Sequence, residues 1–223
     1  MITMALNTVG ADCSVAIIAR DKAVRPVLAY RSKHIGVGHA EHLAPMVTAC
    51  FAEAGLAPRH INRLALVNGP GSFTGLRVGL AFAQAFCLPW NISIMGVSAL
   101  KCLSVQYDPE GQKKLAAIID VRRDELCWAL YQGGEEIAVP RTDKVEEARR
   151  AINAAKVDMG IGNGAHLVME SSKLSPQTSM QTSFLDMRIF GFWAADVNPQ
   201  DYPPTALYSR PPDAKLPGGG TPR

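Results

Sequence analysis

The residues of this chain best suited to chemistry are gathered between Asn68 and Leu80, in the run NGPGSFTGLRVGL. Gly69, Gly71, Ser72, Thr74 and Gly75 stand where a short apolar stretch, Leu64 to Val67, gives way to helix formers. Backbone N–H groups in such a loop point where the start of a helix holds an anion. The spacing matches neither standard phosphate signature: it is not the dinucleotide fingerprint, and no Lys-Ser/Thr pair follows as a P-loop requires. Pro70 and Phe73 likewise break the G-x-S-x-G of a nucleophile elbow around Ser72. Two readings stay open at this point, a ligand loop and a tight turn that needs glycine for positive φ.

The other candidates are weaker. His39-Ala40-Glu41-His42 can place two imidazoles on one helical face, but H-E-x-x-H zinc chemistry needs four-residue spacing, and no third ligand stands nearby. Asp120 is the best single carboxylate for metal or acid–base work, with a hairpin turn as its plain alternative; Asp124 and Glu125 read as solvated turn residues. Glu146-Glu147 with Arg149-Arg150 reads as an exposed, salt-paired helix face. Cys13, Cys50, Cys87, Cys102 and Cys127 are odd in number and widely spaced, without a C-x-x-C pair, so they are expected to be buried thiols. No paired carboxylates, activated nucleophile or metal set emerges, and no catalytic residue is assigned.

The elements that must position the glycine segment follow from periodicity. Three strands open the chain, about 3–8, 13–20 and 26–32, joined by Gly10-Ala11-Asp12 and a charged turn at Asp21-Lys22. A helix from Ala40 to Ala54 is stopped by Gly55; then come the strand 64–67, the glycine loop, a helix from Thr74 to Cys87, a strand 92–95 and a helix from Ser98. From Leu115 a second strand–turn–strand echoes the first, which predicts an α/β fold of two halves on one plan. The expected division is 1–105, a smaller 106–197 whose late helix packs back on the first half, and a largely disordered tail 198–223. Within the second half we expect a charged helix from Asp143 to about Ala155, a strand near Met159, the turn Gly160 to Gly164, a polar loop 171–183 and a helix 185–196.

In the helix after the loop, Gly75, Gly79 and Ala83 recur every four residues, leaving a stripe of almost no side-chain bulk, while Leu76, Val78, Leu80, Phe82 and Phe86 cover the rest. Glycine inside a soluble helix costs about 1 kcal/mol against alanine, so two at this spacing point to a very close neighbour, internal or from a partner chain. The helix 40–54 adds Leu43, Met46, Val47, Cys50 and Ala54 at helical spacing, with Pro45 near its start.

At 223 residues and 48% hydrophobic content, the chain can bury one large core or two small ones. No apolar run approaches the ~20 residues of a membrane span, and Met1 to Leu6 shows no basic leader, so a cytoplasmic protein is expected. A formal charge of +3, scattered in pairs such as Arg122-Arg123, does not describe a stand-alone nucleic-acid binder.

Several segments in order carry a family resemblance: ALNT followed by ADCSVA from Ala5, HAEHLAP from His39, and GPGSFTGLRVGL from Gly69, extended by IDVR at Ile119, Cys127-Trp128 and GNGA at Gly162. Together they resemble the bacterial TsaB (YeaZ) family over most of residues 1–170. The resemblance implies an actin-like ATPase (ASKHA) fold of two ribonuclease H-like lobes. It also implies a non-catalytic partner role in making threonylcarbamoyladenosine beside the tRNA anticodon, with a TsaD-like catalytic subunit and a TsaE-like ATPase as partners. A homodimer is implied when TsaD is absent, tRNA is reached only through the complex, and ATP and metal belong to the partner subunits. By the same resemblance, the helices 40–54 and 74–87 form the partner surface, with Leu43, Met46, Val47, Cys50, Gly75, Leu76, Gly79, Leu80 and Ala83 as its residues. Gly69, Gly71, Ser72 and Thr74 are left for an anion or partner contact. Asn7 stands where family members commonly carry Asp, and the run Gly96 to Leu103 lacks the histidine pair of TsaD-like sequences. An ATP-dependent actin-fold enzyme, an inactive glycoprotease-type relative and a plain homodimeric binding module are the alternatives.

Overall fold

A computed structural model describes residues 1–20, 26–170, 173 and 185–210. The turn at Asp21-Lys22, the polar loop 171–183 apart from Lys173, and the tail beyond 210 lie outside the described residues. The chain forms β1 (Ile2–Asn7), β2 (Asp12–Ala19), β3 (Val27–His34), α1 (His39–Ala54), β4 (Arg63–Val67), α2 (Phe73–Cys87), β5 (Ser93–Val97) and α3 (Ala99–Tyr107). It continues with β6 (Lys114–Asp120), β7 (Glu125–Gln132), β8 (Glu135–Lys144), α4 (Val145–Ala154), β9 (Met159–Ile161) and α5 (Met187–Asp196).

Two sheets result. The first has strand order β3-β2-β1-β4-β5, an antiparallel meander extended by two parallel strands; the second, β8-β7-β6-β9, repeats the first four positions of that order. The echo from Leu115 is therefore structural. This mixed α/β arrangement fits a two-lobe ribonuclease H-like plan.

Alternation along the strands sorts the core into layers. On β1 and β2, Met4, Leu6, Cys13, Val15 and Ile17 face α1 and α2, whereas Ala5, Ala16 and Ile18 face α5. On β6 and β7, Leu115, Ala117, Ile119, Cys127, Ala129 and Tyr131 face α3, and Ala116, Ile118, Leu126, Trp128 and Leu130 face α4. The helices α3 and α5 thus lie between the sheets. Arg63 fastens the end of α5 to the first sheet by donating to the carbonyls of Ala194 and Val197.

Three expectations change. β8 was not foreseen, because its sequence EEIAVPRTDK has neither clean alternation nor burial; it is a mostly exposed edge strand, where Pro140 is tolerated. It runs through Lys144, so the charged helix starts at Val145. Residues 198–210 are placed: a 3₁₀ turn at Pro199–Asp201 leads into an extended strap that hydrogen-bonds to the glycine loop and to β5. Proline ruled out helix there without ruling out order.

Candidate functional site

The glycine loop is held from beneath by the end of β1. Ser72 caps α2, its Oγ accepting from the Gly75 amide at 3.2 Å, and its own amide donates to the Val9 carbonyl at 2.7 Å. Thr8 Oγ1 donates to the Gly75 carbonyl at 2.7 Å. A Cβ at Gly75 would overlap the Thr8 carbonyl, and one at Gly79 would sit 2.5 Å from Thr8 Oγ1. The small-residue stripe is therefore filled from within the chain: Gly75, Leu76, Gly79 and Ala83 are all buried. Asn7, 3% exposed, accepts from the Val9 amide through Oδ1 at 3.1 Å. Several groups that would meet a phosphate or its metal in this corner are thus engaged with the chain itself.

Above the loop, a cleft of about 960 Å³ separates the two sheets. One wall is built from Asn7, the turn Val9 to Asp12, Val37, Gly71 to Phe73 and Arg77; the other from Ile119 to Arg122 and Asn163, with Tyr208 to Arg210 closing one side. Its charged groups are largely bound to neighbours. Asp12 Oδ1 lies 3.0 Å from His34 Nδ1, and the Arg77 guanidinium sits 3.9 Å over the Phe73 ring. Asp120 Oδ1 accepts from the Arg122 amide at 2.7 Å, while its own amide donates to Asn163 Oδ1 at 3.0 Å, so the carboxylate organises a turn.

That turn is strained. Arg122, Arg123 and Asp124 take φ of 65°, 60° and 60°, a left-handed region that costs side-chain-bearing residues about 1–2 kcal/mol each. Glu125 anchors it, pairing with Lys144 at 3.1 Å and with Arg210 at 2.5 Å. Hydrogen bonds from Lys144 and then Arg210 hold its carboxyl below the usual glutamate range.

His39 is buried, and desolvation lowers its pKa, which favours the neutral ring; His42 is half-buried on the same helix. Among the described residues, no group of three His, Cys, Asp or Glu side chains is arranged to hold a metal ion. All five cysteines are buried; burial pushes the thiols of Cys13 and Cys50 up to about 11 and that of Cys87 to about 12, which keeps them protonated and unreactive at neutral pH.

On the outside of the first sheet, α1 and α2 lie side by side. Leu43, Val47 and Cys50 point inward, and Met46 and Leu80 are half-buried. Gly69 is covered by the strap, while Gly71, Ser72 and Thr74 are exposed. The exposed residues of the two helices include Ala44, Pro45, Ala49, Ala81 and Ala85 together with Glu41, Thr48, Glu53, Arg77 and Gln84, and Met46, Val78, Phe82 and Phe86 are half-buried. Phe82 stacks on Phe86 at 5.8 Å, and Phe86 on Phe51 at 5.8 Å. Beyond α2, Leu88 is 83% and Trp90 47% exposed. Sequence reasoning had Val78, Phe82 and Phe86 covering the rest of α2 but gave the partner surface to the small-residue stripe instead.

Among the described residues, no helix is long and apolar enough to cross a membrane. Residues 25–188 match the family model "TsaD: tRNA N6-adenosine threonylcarbamoyltransferase". The chain is 33% identical over 133 residues to the tRNA threonylcarbamoyladenosine biosynthesis protein TsaB of Escherichia coli (strain K12), a match covering 56% of this chain and 58% of that protein. It is 32% identical over 215 residues to an uncharacterized protein of Mycobacterium tuberculosis (strain ATCC 25618 / H37Rv), covering 95% of this chain and 93% of the relative. Among solved structures, an uncharacterized protein with similarity to peptidase YEAZ from Pseudomonas aeruginosa superposes with a TM-score of 0.72 at 27% identity, covering 94% of this chain and 99% of the other.

Proposed function

Because the chain belongs to the TsaB (YeaZ) family, and so to the tRNA threonylcarbamoyladenosine pathway for which its relatives are named, we propose that it serves there as a non-catalytic partner subunit. In this reading it has the actin-like two-lobe fold and docks on a TsaD-like catalytic subunit through the outer face of α1 and α2. A TsaE-like ATPase joins the pair. A second copy occupies the same face when TsaD is absent, and tRNA is met only through the assembled complex, in the cytoplasm. ATP and metal are assigned to the partner subunits.

The observation that carries the proposal is the outer α1–α2 face. Ala44, Ala49, Ala81 and Ala85 are exposed there without bulk or charge, Met46, Val78, Phe82 and Phe86 are half-buried on the same helices, and Glu41, Glu53 and Arg77 are the exposed charges beside them. Another protein's helices can approach such a surface closely with little desolvation cost, and aromatic and Met side chains are what interface cores favour. The non-catalytic role draws on Asn7, whose carbonyl oxygen is committed to the Val9 amide.

The test is a dropout reconstitution: tRNA, ATP, the threonylcarbamoyl donor system, TsaD and TsaE, with and without this chain, read by nucleoside mass spectrometry. We expect product only when the chain is present, and no ATP turnover by the chain alone. Equal product without it would overturn the partner role. Turnover of Mg·ATP by the isolated chain would favour an actin-fold enzyme working in the cleft.

A further inference from the structure

The geometry points to a clasp: the segment Tyr202 to Arg210 seats on the glycine loop at one end and on the strained turn of the second sheet at the other, so its seating sets how far the cleft between the sheets opens. On the first sheet, the Gly96 amide donates to the Tyr202 carbonyl at 3.0 Å, the Leu207 amide to the Asn68 carbonyl at 2.8 Å, and Asn68 Nδ2 to the Thr205 carbonyl at 2.7 Å. Two glycines are shaped to this segment. A Cβ at Gly69 would overlap the Leu207 carbonyl, and one at Gly96 would lie 2.9 Å from Pro204 Cα. Pro203 and Pro204 fix φ and lack amide donors, which favours an extended path at a reduced entropic cost.

The segment then crosses the side of the cleft. Tyr208 packs on Phe73, the first residue of α2, with ring centroids 4.8 Å apart. Arg210 donates from Nε to Glu125 Oε2 and from Nη2 to the Arg122 carbonyl, both at 2.5 Å. Its two partners bracket the left-handed run Arg122 to Asp124, whose strained φ persists only while contacts around it hold it, those of Arg210 among them. At the second sheet its hold is the pair of hydrogen bonds from Arg210, whereas at the first Tyr202 and Ala206 also pack against the core, so the second-sheet end is the one that releases locally. Tyr208, Ser209 and Arg210 line the cleft, so a released clasp would widen its entrance and free the first turn of α2 at once. This inference stands independently of the docking proposal, since it concerns the isolated chain.

Hydrogen–deuterium exchange on the full chain tests it, with each perturbation placed at the end opposite its readout. Arg210→Ala acts at the second sheet, and exchange is read at Gly96 and Leu207; Gly96→Ala acts at the first, and exchange is read over 121–126. Arg150→Ala, on the exposed face of α4, is the control. We expect exchange at the distant end to quicken roughly tenfold in both variants, the scale of losing one charge-assisted hydrogen bond, with the control unchanged. Acceleration confined to the end that carries the substitution would overturn the clasp. Should Gly96→Ala fail to fold, the Arg210→Ala arm decides alone.

Discussion

Replacing Gly79 by alanine asks whether the small-residue stripe of α2 serves the fold or a partner. The added methyl would lie 2.5 Å from Thr8 Oγ1, which is itself bonded to the Gly75 carbonyl at 2.7 Å in a site where Thr8 is 1% exposed. Overpacking a full site costs about 1–3 kcal/mol. Turning the Thr8 hydroxyl away leaves a buried donor unmade, for roughly another 1–3 kcal/mol. Against this, alanine gains about 1 kcal/mol over glycine as a helix former. The expected net loss is therefore about 3 kcal/mol, lowering a urea midpoint by roughly 1.5 M at a slope near 2 kcal/mol/M. The assay is equilibrium unfolding of the isolated chain, with Thr8→Ala and the double variant completing a cycle. Thr8→Ala removes the obstructing oxygen, so the double variant should be more stable than the summed single losses by at least about 1 kcal/mol. Unchanged stability in Gly79→Ala, together with lost partner binding, would refute the internal assignment and return the stripe to the interface.

Two further outcomes bear on the surface and on the clasp. Ala81→Glu puts a charge on the exposed side of α2, so it should leave the unfolding free energy within about 0.5 kcal/mol of wild type while weakening TsaD binding roughly a hundredfold by titration; equal affinity would move the docking site elsewhere. Glu125 binds its proton more weakly in the folded chain than in the unfolded one, so its contribution is complete above the ordinary value of 4.5 and is lost as pH falls through the lower folded value. The melting-temperature gap between wild type and Glu125→Gln should accordingly hold from about pH 7 to 5.5 and close below about 4.5. A gap that is the same at every pH from about 7 to 3 would mean that Lys144 and Arg210 do not act on the carboxylate's charge.

The first half of the fold was legible in the sequence because its signals are local. Leu64 to Val67 as a buried strand and Gly55 as the stop of α1 each depend on a few neighbouring residues, and the structure places both as read. β8 was not legible, since an exposed edge strand needs no apolar pattern and takes its conformation from pairing with β7. The glycines were visible as a demand for closeness, but their spacing said nothing of direction. Thr8, far away in the chain, fills the space beside Gly75 and Gly79, and Leu207 and Pro204 fill that beside Gly69 and Gly96.

What the sequence alone determined is which chemistry this chain brings and how its segments are patterned: an asparagine at the end of β1, a glycine-rich strand-to-helix loop, two apolar helices and a repeated half. Side-chain type and period 2 or 3.6 are properties of neighbouring residues. What only the tertiary structure decided is where the apolar faces point, which backbone lies against each glycine, and that a proline-rich carboxy-terminal segment ties the two sheets together. Those depend on contacts between residues far apart in the chain, such as Arg210 with Glu125 and Leu207 with Asn68, whose formation rests on the closure of the whole fold.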